Sequence, residues 1–213
     1  MIFRLFFGGS FDPVHDGHLD MVRLAFHRLS GLGLSFYIHF LPTAGNPFKG
    51  VPTDPTHRLA MLSLACDLLK NQGIITSIDT TEIHQTPPIY TIDTVHTLAK
   101  RYPDDKLVFI MGEDSLADLH RWKSYHQLFD FIKIWSFVRA GSTTPYHDEI
   151  LAKMTNDFSE FLDHKTIFYD STTVPAISST QIRQALAYGD NPPHLPKPIF
   201  DYIKTHGLYK SVL

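Results

Sequence analysis

Residues 8–18 of the chain read Gly-Gly-Ser-Phe-Asp-Pro-Val-His-Asp-Gly-His. An apolar run, Ile2–Phe7, comes directly before them and predicts a buried β-strand. The segment His18–Leu29 follows, and its apolar residues recur at spacings of three and four, which predicts an amphipathic helix. A strand, a glycine-rich loop and a helix in immediate succession are typical of the first unit of an α/β protein.

The same alternation continues along the chain. Further strands are predicted at Leu34–Leu41, Ile74–Ile83, Lys106–Met111, Ile132–Val138 and Thr166–Asp170. Further helices are predicted at Thr56–Leu69, Tyr90–Tyr102, His147–Leu162, Ser179–Tyr188 and Pro198–Thr205, with one or two short helices in Ser115–Phe129. This pattern predicts one α/β domain over residues 1–213: a doubly wound, Rossmann-like parallel sheet with helices on both faces, helical from 175 to 213. Ligands of such sheets bind at the carboxyl ends of the strands, so we expect a site at the loops after Phe7, Leu41 and Met111.

The composition excludes several classes of protein. The chain has 213 residues, 43% of them hydrophobic, which is enough to bury a core without disulfides. A net charge of -3 at pH 7 argues against a general nucleic-acid coat protein, which needs a basic surface. The single cysteine, Cys66, excludes a disulfide framework and a Cys-rich zinc module. No apolar run approaches the roughly 18 residues that span a bilayer, so we expect a cytoplasmic protein with neither membrane nor nucleic-acid partners.

The loop at residues 8–18 offers the chemistry of an anion site. Gly8 and Gly9 let the backbone pass close to a ligand and permit positive φ. The N-terminus of the following helix presents unpaired N–H groups and a partial positive charge, which suit a phosphate. His15 and His18 are three residues apart on the first turn, so both imidazoles can donate hydrogen bonds to the same phosphate oxygens. Gly17 between them would leave room for a bulky ligand.

Other interpretations of the loop stay open from these residues alone. The glycine pair can be an ordinary turn, and a loop histidine is usually a solvated side chain. The two histidines could hold a metal ion, but no third ligand with suitable spacing lies nearby, and we predict no metal site. The loop is neither a P-loop, because GxxxxGK[ST] is absent, nor a GxGxxG turn.

The stretch resembles the signature of the HxGH nucleotidyltransferase superfamily, G-[TS]-F-x-P-x-H-x-G-H. That superfamily joins a nucleoside triphosphate to a phosphate or carboxylate acceptor and releases pyrophosphate. A second element, Ile177–Arg183, is similar to the superfamily's ISSTxIR segment. Ser179 or Thr180 would cap a helix whose N–H groups face an anion, and Arg183 would place a planar fork on the triphosphate. Simple capping and a solvated arginine are the alternatives for this element.

Several segments between these elements resemble bacterial nicotinate-nucleotide adenylyltransferases, and the resemblance covers nearly the whole chain. They are Pro42–Lys49, Pro88–Val95, Ile110–Leu116, Arg121–Lys123 and His206–Tyr209. The resemblance implies that Thr91 and the backbone around it bind the nicotinate carboxylate and that Trp122 stacks on the pyridine ring. It implies that Gly112 and Asp114 contact adenosine and that Lys49 reaches phosphate.

Each of these residues also has a purely structural interpretation. Trp122 could be ordinary core, Thr91 an ordinary first residue of a helix, Asp114 a helix cap and Lys49 a solvated loop cation. The chain also departs from the family pattern, because residues 46–49 read Asn-Pro-Phe-Lys where PPHK is usual. Lys123 stands where Tyr often follows Trp, and its ammonium could lie near the nicotinate carboxylate.

The resemblance implies an enzyme of NAD biosynthesis that joins ATP to nicotinate mononucleotide, giving deamido-NAD and pyrophosphate, with Mg²⁺ arriving on ATP. The predicted catalytic residues are His15, His18 and Arg183. The predicted ATP-binding residues are Gly8, Gly9, Ser10, Phe11, His15, His18, Gly112, Asp114, Ser178, Ser179, Thr180 and Arg183. The predicted mononucleotide-binding residues are Asp12, Lys49, Tyr90, Thr91, Trp122 and Lys123.

Three alternatives to this function remain at the level of sequence. Another HxGH enzyme, such as a pantetheine-phosphate adenylyltransferase or a cytidylyltransferase, would lack the segments around Thr91 and Trp122. A class I tRNA synthetase shares related chemistry, but 213 residues leave no room for a tRNA-binding module. A non-catalytic nucleotide sensor would not need His15, His18 and Arg183, all of which are present.

Overall fold

The computed structural model describes residues 2–45, 51–139 and 145–210. The strands in these ranges are β1 (Phe3–Gly9), β2 (Phe36–Pro42), β3 (Thr76–Ile78), β4 (Lys106–Gly112), β5 (Ile132–Arg139), β6 (Met154–Thr155) and β7 (Ile167–Val174). They form one seven-stranded parallel sheet in the order β3-β2-β1-β4-β5-β7-β6. The chain builds outward from β1 to β3 and then returns to the other side of β1. The predicted doubly wound parallel sheet is therefore confirmed.

Helices connect the strands and form the C-terminal part. They are α1 (Asp16–Gly31), α2 (Pro55–Lys70), α3 (Thr91–Arg101), α4 (Glu113–Ala117), α5 (Tyr125–Leu128), α6 (Asp148–Leu151), α7 (Phe158–Asp163), α8 (Ser179–Ala187) and α9 (Lys197–His206), with a 3-10 turn at Leu119–Arg121. The starts of α1, α2, α3, α8 and α9 lie within two residues of their predicted positions. Across the described ranges, none of the helices has the length and apolar character needed to cross a membrane.

Alternate residues of the central strands point to opposite faces of the sheet. In β1, Leu5 and Phe7 pack into a core with α1, α2, α8 and α9, whereas Phe6 packs into a second core with α3 and α4. In β4, Val108 packs into the first core and Phe109 packs into the second. Both faces of the sheet are covered by helices, which is why its central strands read as continuous apolar runs.

The helix predicted at His147–Leu162 is wrong. The chain there forms two short helices, α6 and α7, separated by β6. Thr155 pairs with β7 at the edge of the sheet. Asp157 then begins α7, because its carboxylate accepts the backbone N–H groups of Ser159 and Glu160 at 2.7 and 3.3 Å. The chain therefore starts a second helix at Asp157 instead of extending the first.

Two predicted strands differ from the structure by more than two residues at one end. The strand predicted at Ile74–Ile83 pairs with β2 only over Thr76–Ile78. Asp79 ends it, because its carboxylate accepts the N–H of Thr81 at 2.9 Å and turns the chain. The strand predicted at Thr166–Asp170 runs on to the end of β7, where it still pairs with β5 beyond a bulge.

The carboxyl ends of β1, β2 and β4 lie together at one edge of the sheet. Gly9 at the end of β1 pairs with Pro42 at the end of β2, and β4 ends at Gly112. The order of the sheet reverses between β1 and β4, which opens a crevice at this edge. The loop at residues 10–15 and the first turns of α1 and α4 enter it directly.

Candidate active site

Two cavities lie side by side at the carboxyl ends of β1 and β4, with volumes of about 390 and 380 Å³. The first is lined by Trp122 and is called the tryptophan cavity here. The second is lined by His15 and His18 and is called the histidine cavity. The residues that line both are Gly8, Gly9, Ser10 and Ser115. The end of β1 is therefore the common wall of the two.

The tryptophan cavity brings together Tyr90, Thr91, Trp122 and Lys123, four of the residues predicted to bind a mononucleotide. Thr91 is the first residue of α3 and Tyr90 its N-cap, so N–H groups without helical partners lie at the cavity wall. The Nζ atom of Lys123 is 4.1 Å from the ring centroid of Tyr90 and 4.0 Å from the carboxylate of Asp93. A helix N-terminus and a cation thus flank an aromatic cavity, which suits a planar anion.

The histidine cavity is lined by all twelve residues predicted to bind ATP. They come from the end of β1, the first turn of α1, the start of α4 and the N-terminus of α8. Two helices of nine or more residues, α1 and α8, point their N-termini at this cavity, which favours a polyanion. Asp12, predicted to bind the mononucleotide, lines this cavity and not the tryptophan cavity.

The histidine pair is ordered by the backbone at the start of α1. His15 is the N-cap residue and is 4% exposed, and its ring centroid lies 3.8 Å from that of His18. The backbone N–H of His15 donates to Nδ1 of His18 at 3.2 Å. Neutral His18 consequently carries its proton on Nε2, which makes that atom the donor of the ring.

The glycines of the loop make room for neighbouring rings. A Cβ on Gly17 would lie 3.2 Å from Cε1 and Nδ1 of His15, so the group that Gly17 accommodates is this imidazole. A Cβ on Gly8 would lie 2.5 Å from Cε1 of Phe109. Gly8 and Gly9 do not use the positive φ that glycine permits, because β1 continues through both residues. Phe11, with φ of 48°, takes the left-handed conformation instead.

Ser178, rather than Ser179 or Thr180, caps α8. Its hydroxyl accepts the N–H of Gln181 at 3.2 Å, and the Gln181 side chain accepts the N–H of Ser178 at 3.1 Å. The hydroxyl of Ser179 donates to the carbonyl of Pro13 at 3.0 Å. The predicted capping residue is therefore corrected, and Ser179 instead joins α8 to the loop that follows β1.

Asp12 is held by groups of the protein on three sides. Arg183 donates from Nη1 to the Asp12 carbonyl at 2.6 Å and from Nη2 to the Thr180 hydroxyl at 3.3 Å. The Asp12 carboxylate accepts the Tyr209 hydroxyl at 2.6 Å and the Thr53 N–H at 3.1 Å. Burial and the adjacent carboxylate raise the pKa of Tyr209, so its hydroxyl stays a donor at neutral pH. In this arrangement Asp12 orders the loop.

Two buried charged side chains beside the cavities were missed from sequence. Glu82 lines the tryptophan cavity at 6% exposure, and the Thr94 hydroxyl donates to its Oε1 at 2.6 Å. Burial raises the pKa of Glu82. Arg58 is fully buried and donates to the carbonyls of Ser10 and Thr43. The one signal available from sequence was an arginine on the apolar face of a predicted helix. It indicates Arg58 and does not indicate Glu82.

Two further predictions concern single residues. Lys49 lies outside the described residues. Asp114 lines the histidine cavity from the first turn of α4, whose N-cap is Gly112, so Asp114 is not the cap residue. Within the ranges that the structure covers, no three His, Cys, Asp or Glu side chains are grouped to hold a metal ion.

The chain matches a family model described as cytidylyltransferase-like over residues 6–185, a range that includes both signature elements. A curated protein of Pseudoalteromonas atlantica, named probable nicotinate-nucleotide adenylyltransferase, is 36% identical over 96% of this chain and 93% of its own length. A protein of the same name from Aeromonas salmonicida is 35% identical, over 96% and 95%. The chain belongs to the nicotinate-nucleotide adenylyltransferase family.

A solved structure shares the fold. It is the Plasmodium falciparum nicotinic acid mononucleotide adenylyltransferase complexed with NaAD, which aligns with a TM-score of 0.73 at 19% identity over 98% of both chains. The family resemblance and the Rossmann-like fold expected from sequence are thus confirmed. The roles of individual residues in this nicotinate-nucleotide adenylyltransferase family member stay predictions.

Proposed function

We propose that the chain transfers the adenylyl group of ATP to nicotinate mononucleotide in the cytoplasm, giving deamido-NAD and pyrophosphate. The observation that carries this proposal is the common wall of the two cavities, formed by the end of β1. ATP in the histidine cavity and a mononucleotide in the tryptophan cavity would bring their phosphates together at Gly9 and Ser10. The chain's membership of the nicotinate-nucleotide adenylyltransferase family supports the same reaction.

The reaction needs no nucleophile from the protein. An oxygen of the mononucleotide 5′-phosphate attacks the α-phosphorus of ATP. The bond between that phosphorus and the oxygen that bridges it to the β-phosphorus breaks. Pyrophosphate leaves with the electron pair. Catalysis then consists of alignment and of stabilising the charge on the phosphoryl oxygens.

The donors of the histidine cavity suit that task. His18 offers Nε2–H, whereas the backbone N–H groups of Asp16 and His18 at the start of α1 already donate to the carbonyls of His194 and His15. Arg183 is fixed by its bond to the Asp12 carbonyl, which aims its remaining N–H groups at the cavity. Mg²⁺ would arrive with the ATP substrate, held largely by phosphate oxygens and water, and it would supply charge stabilisation there. Asp114, which lines the same cavity, is proposed to contact adenosine.

The tryptophan cavity suits the nicotinate group. Trp122 offers a flat face for the pyridine ring, and the N–H groups at Thr91 face the carboxylate, with the ammonium of Lys123 beside them. The N–H groups at Thr91 and the Lys123 ammonium are donors. A carboxylate accepts from them, whereas a carboxamide would turn its NH₂ toward donors and leave hydrogen bonds unmade. Lys49, which lies outside the described residues, is proposed to reach phosphate.

The experiment compares kcat/KM for nicotinate and nicotinamide mononucleotides at saturating ATP and magnesium, followed by pyrophosphate release. Polar sites of this kind discriminate by up to roughly 10⁴–10⁵, and we expect a preference for the acid of at least about 10². Trp122→Ala is the control and should lower both values, because stacking does not distinguish acid from amide. Equal values for the two substrates would exclude the nicotinate assignment. Absence of pyrophosphate release with either would exclude adenylyl transfer.

A further inference from the structure

Arg58 lies on the buried face of α2 with no exposed surface. Its Nε donates to the carbonyl of Thr53 at 2.8 Å. Its Nη1 donates to two carbonyls at once, those of Ser10 at 2.9 Å and Thr43 at 2.7 Å. Among the residues that the structure describes, Arg58 belongs to no ion pair. Its partners are therefore neutral backbone groups of two loops, Ser10 in the loop after β1 and Thr43 and Thr53 in the connection from β2 to α2.

The cost of burying the Arg58 guanidinium is offset by the hydrogen bonds that it makes. Burial lowers the pKa of Arg58, which means that the surroundings disfavour its charged form. The rest of the buried face of α2 is apolar, but an apolar side chain in place of Arg58 would leave the carbonyls of Ser10, Thr43 and Thr53 without this donor. A guanidinium at this position is thus explained by the carbonyls that it holds together.

Each carbonyl that Arg58 binds belongs to a segment at the cavities. Ser10 lines both cavities, and Thr43 lines the tryptophan cavity. Thr53 links Arg58 to the histidine cavity, because its backbone N–H donates to the carboxylate of Asp12, which lines that cavity. Arg58 itself lines neither cavity. It acts on the site through the backbone of the loops.

We propose that Arg58 is a positioning residue that fixes the loops after β1 and β2 relative to each other and so sets the spacing of the two substrates. Because one nitrogen serves both Ser10 and Thr43, the two carbonyls cannot separate without losing a hydrogen bond in a dry environment. An in-line transfer is sensitive to that spacing, and an error of about 1 Å costs about 10²-fold. This proposal rests on the proposed function for its kinetic test.

Arg58→Lys provides that test. Lysine keeps the charge but has one nitrogen, which cannot reach Thr53 together with the other two carbonyls. We expect KM for ATP and for the mononucleotide both to rise and kcat/KM to fall by about 10–100-fold, in protein whose CD spectrum is that of the wild type. Arg23→Lys, at a partly exposed arginine paired with Asp20 on α1, is the matched control and should leave both KM values and kcat/KM unchanged. A folded Arg58→Lys protein with both KM values and kcat within about twofold of wild type would overturn the proposal.

A second measurement does not depend on the reaction. The N–H of Thr43 donates to the carbonyl of Gly9 at 3.0 Å, so its hydrogen exchange reports the contact between the two loops. We expect faster exchange at Thr43 in Arg58→Lys and unchanged exchange in β7, whereas equal exchange at Thr43 would overturn the proposal. If Arg58→Lys does not fold, hydrogen exchange in the wild-type protein provides the test. ATP or the mononucleotide should slow exchange of the Arg58 Nε–H. If neither ligand changed this exchange rate, the proposal would be overturned. Failure of the proposed function would appear separately, as absent turnover in the wild type.

Discussion

His18 presents Nε2 as the donor of its neutral ring, because Nδ1 already accepts the backbone N–H of His15. A preorganised donor aimed at charge that develops in a transition state contributes about 10²–10³ in turnover. We expect His18→Ala to lower kcat by about 10²–10³ with an unchanged CD spectrum. The measurement is pyrophosphate release at saturating ATP and mononucleotide.

The control lies on the same helix. His27 is exposed on α1 and lines neither cavity, so His27→Ala should keep the wild-type kcat. If His18→Ala also kept it, the histidine pair would have no part in the mechanism.

Glu82 makes the stability of the fold depend on pH. Burial raises its pKa above the usual 4.5, so the folded state holds this proton more tightly than the unfolded chain does. Its contribution to the free energy of unfolding is therefore complete below pH 4.5 and is lost as pH rises through the raised pKa. Glu82→Gln keeps an acceptor for the Thr94 hydroxyl and removes the ionisation. Urea denaturation at a series of pH values should show this decline in wild type and not in the variant.

A carboxyl at an exposed position is the control for this pH series. Glu160→Gln in α7 should keep the wild-type decline. Parallel curves for wild type and Glu82→Gln would show that Glu82 does not contribute to the pH dependence.

Among single residues, the predicted ATP residues of the two signature elements could be placed at one cavity from sequence, whereas Asp12 in the first element could not be placed at its predicted cavity. A strand, a tight loop and a helix N-terminus determine locally which side chains face one edge, so the predicted ATP residues line one cavity. Arg58 and Glu82 could not be placed in this way. Arg58 lies 48 positions from Ser10, and only the parallel pairing of β1 and β2 brings their surroundings together.

At the scale of elements, α1 contains two glycines with opposite surroundings. A Cβ on Gly17 would press on the His15 ring at 3.2 Å, and that ring is already buried against His18. A Cβ on Gly31, at the end of the same helix, would meet nothing within 4 Å. We expect Gly17→Ala to displace His15 by a few tenths of an ångström and to lower kcat by about tenfold.

Gly31→Ala should leave kcat unchanged and raise stability by about 0.4–1 kcal/mol, since alanine restricts the unfolded chain. The comparison uses kcat from pyrophosphate release and the free energy of unfolding from urea denaturation. Equal kcat for the two variants would mean that the His15 ring tolerates the added methyl group without consequence.

Elements were predicted well where one apolar face continues, and poorly where local capping interrupts it. The stretch from Ile150 to Phe161 keeps a helical spacing of apolar residues, and both of these side chains are buried. Each of the two helices has an apolar side that packs on the sheet, α6 on one face and α7 on the other. Asp157 starts the second helix between them. Periodicity reports burial, and here it could not distinguish one helix from two.

At the scale of the molecule, the last described segment returns to the first loop. The Tyr209 hydroxyl donates to the Asp12 carboxylate, across 197 positions of sequence. The carbonyl of the same Asp12 accepts from Arg183 on α8. The α/β alternation predicted the sheet, but a connection between chain end and site has no local pattern. It depends on where α8 and α9 pack against the first core.

Tyr209→Phe tests this connection. The substitution removes a hydroxyl that donates to a buried carboxylate, and such a hydrogen bond contributes about 1.5–3 kcal/mol. We expect the free energy of unfolding, from urea denaturation, to fall by about 1.5–3 kcal/mol, because the N–H of Thr53 remains but cannot replace the lost donor. KM for ATP should rise as well, since a loosened Asp12 no longer fixes the guanidinium of Arg183. Tyr188→Phe, at a tyrosine that is 85% exposed, is the control and should change neither quantity. If both variants unfolded at the same urea concentration, the hydrogen bond from Tyr209 to Asp12 would not contribute to the stability of the fold.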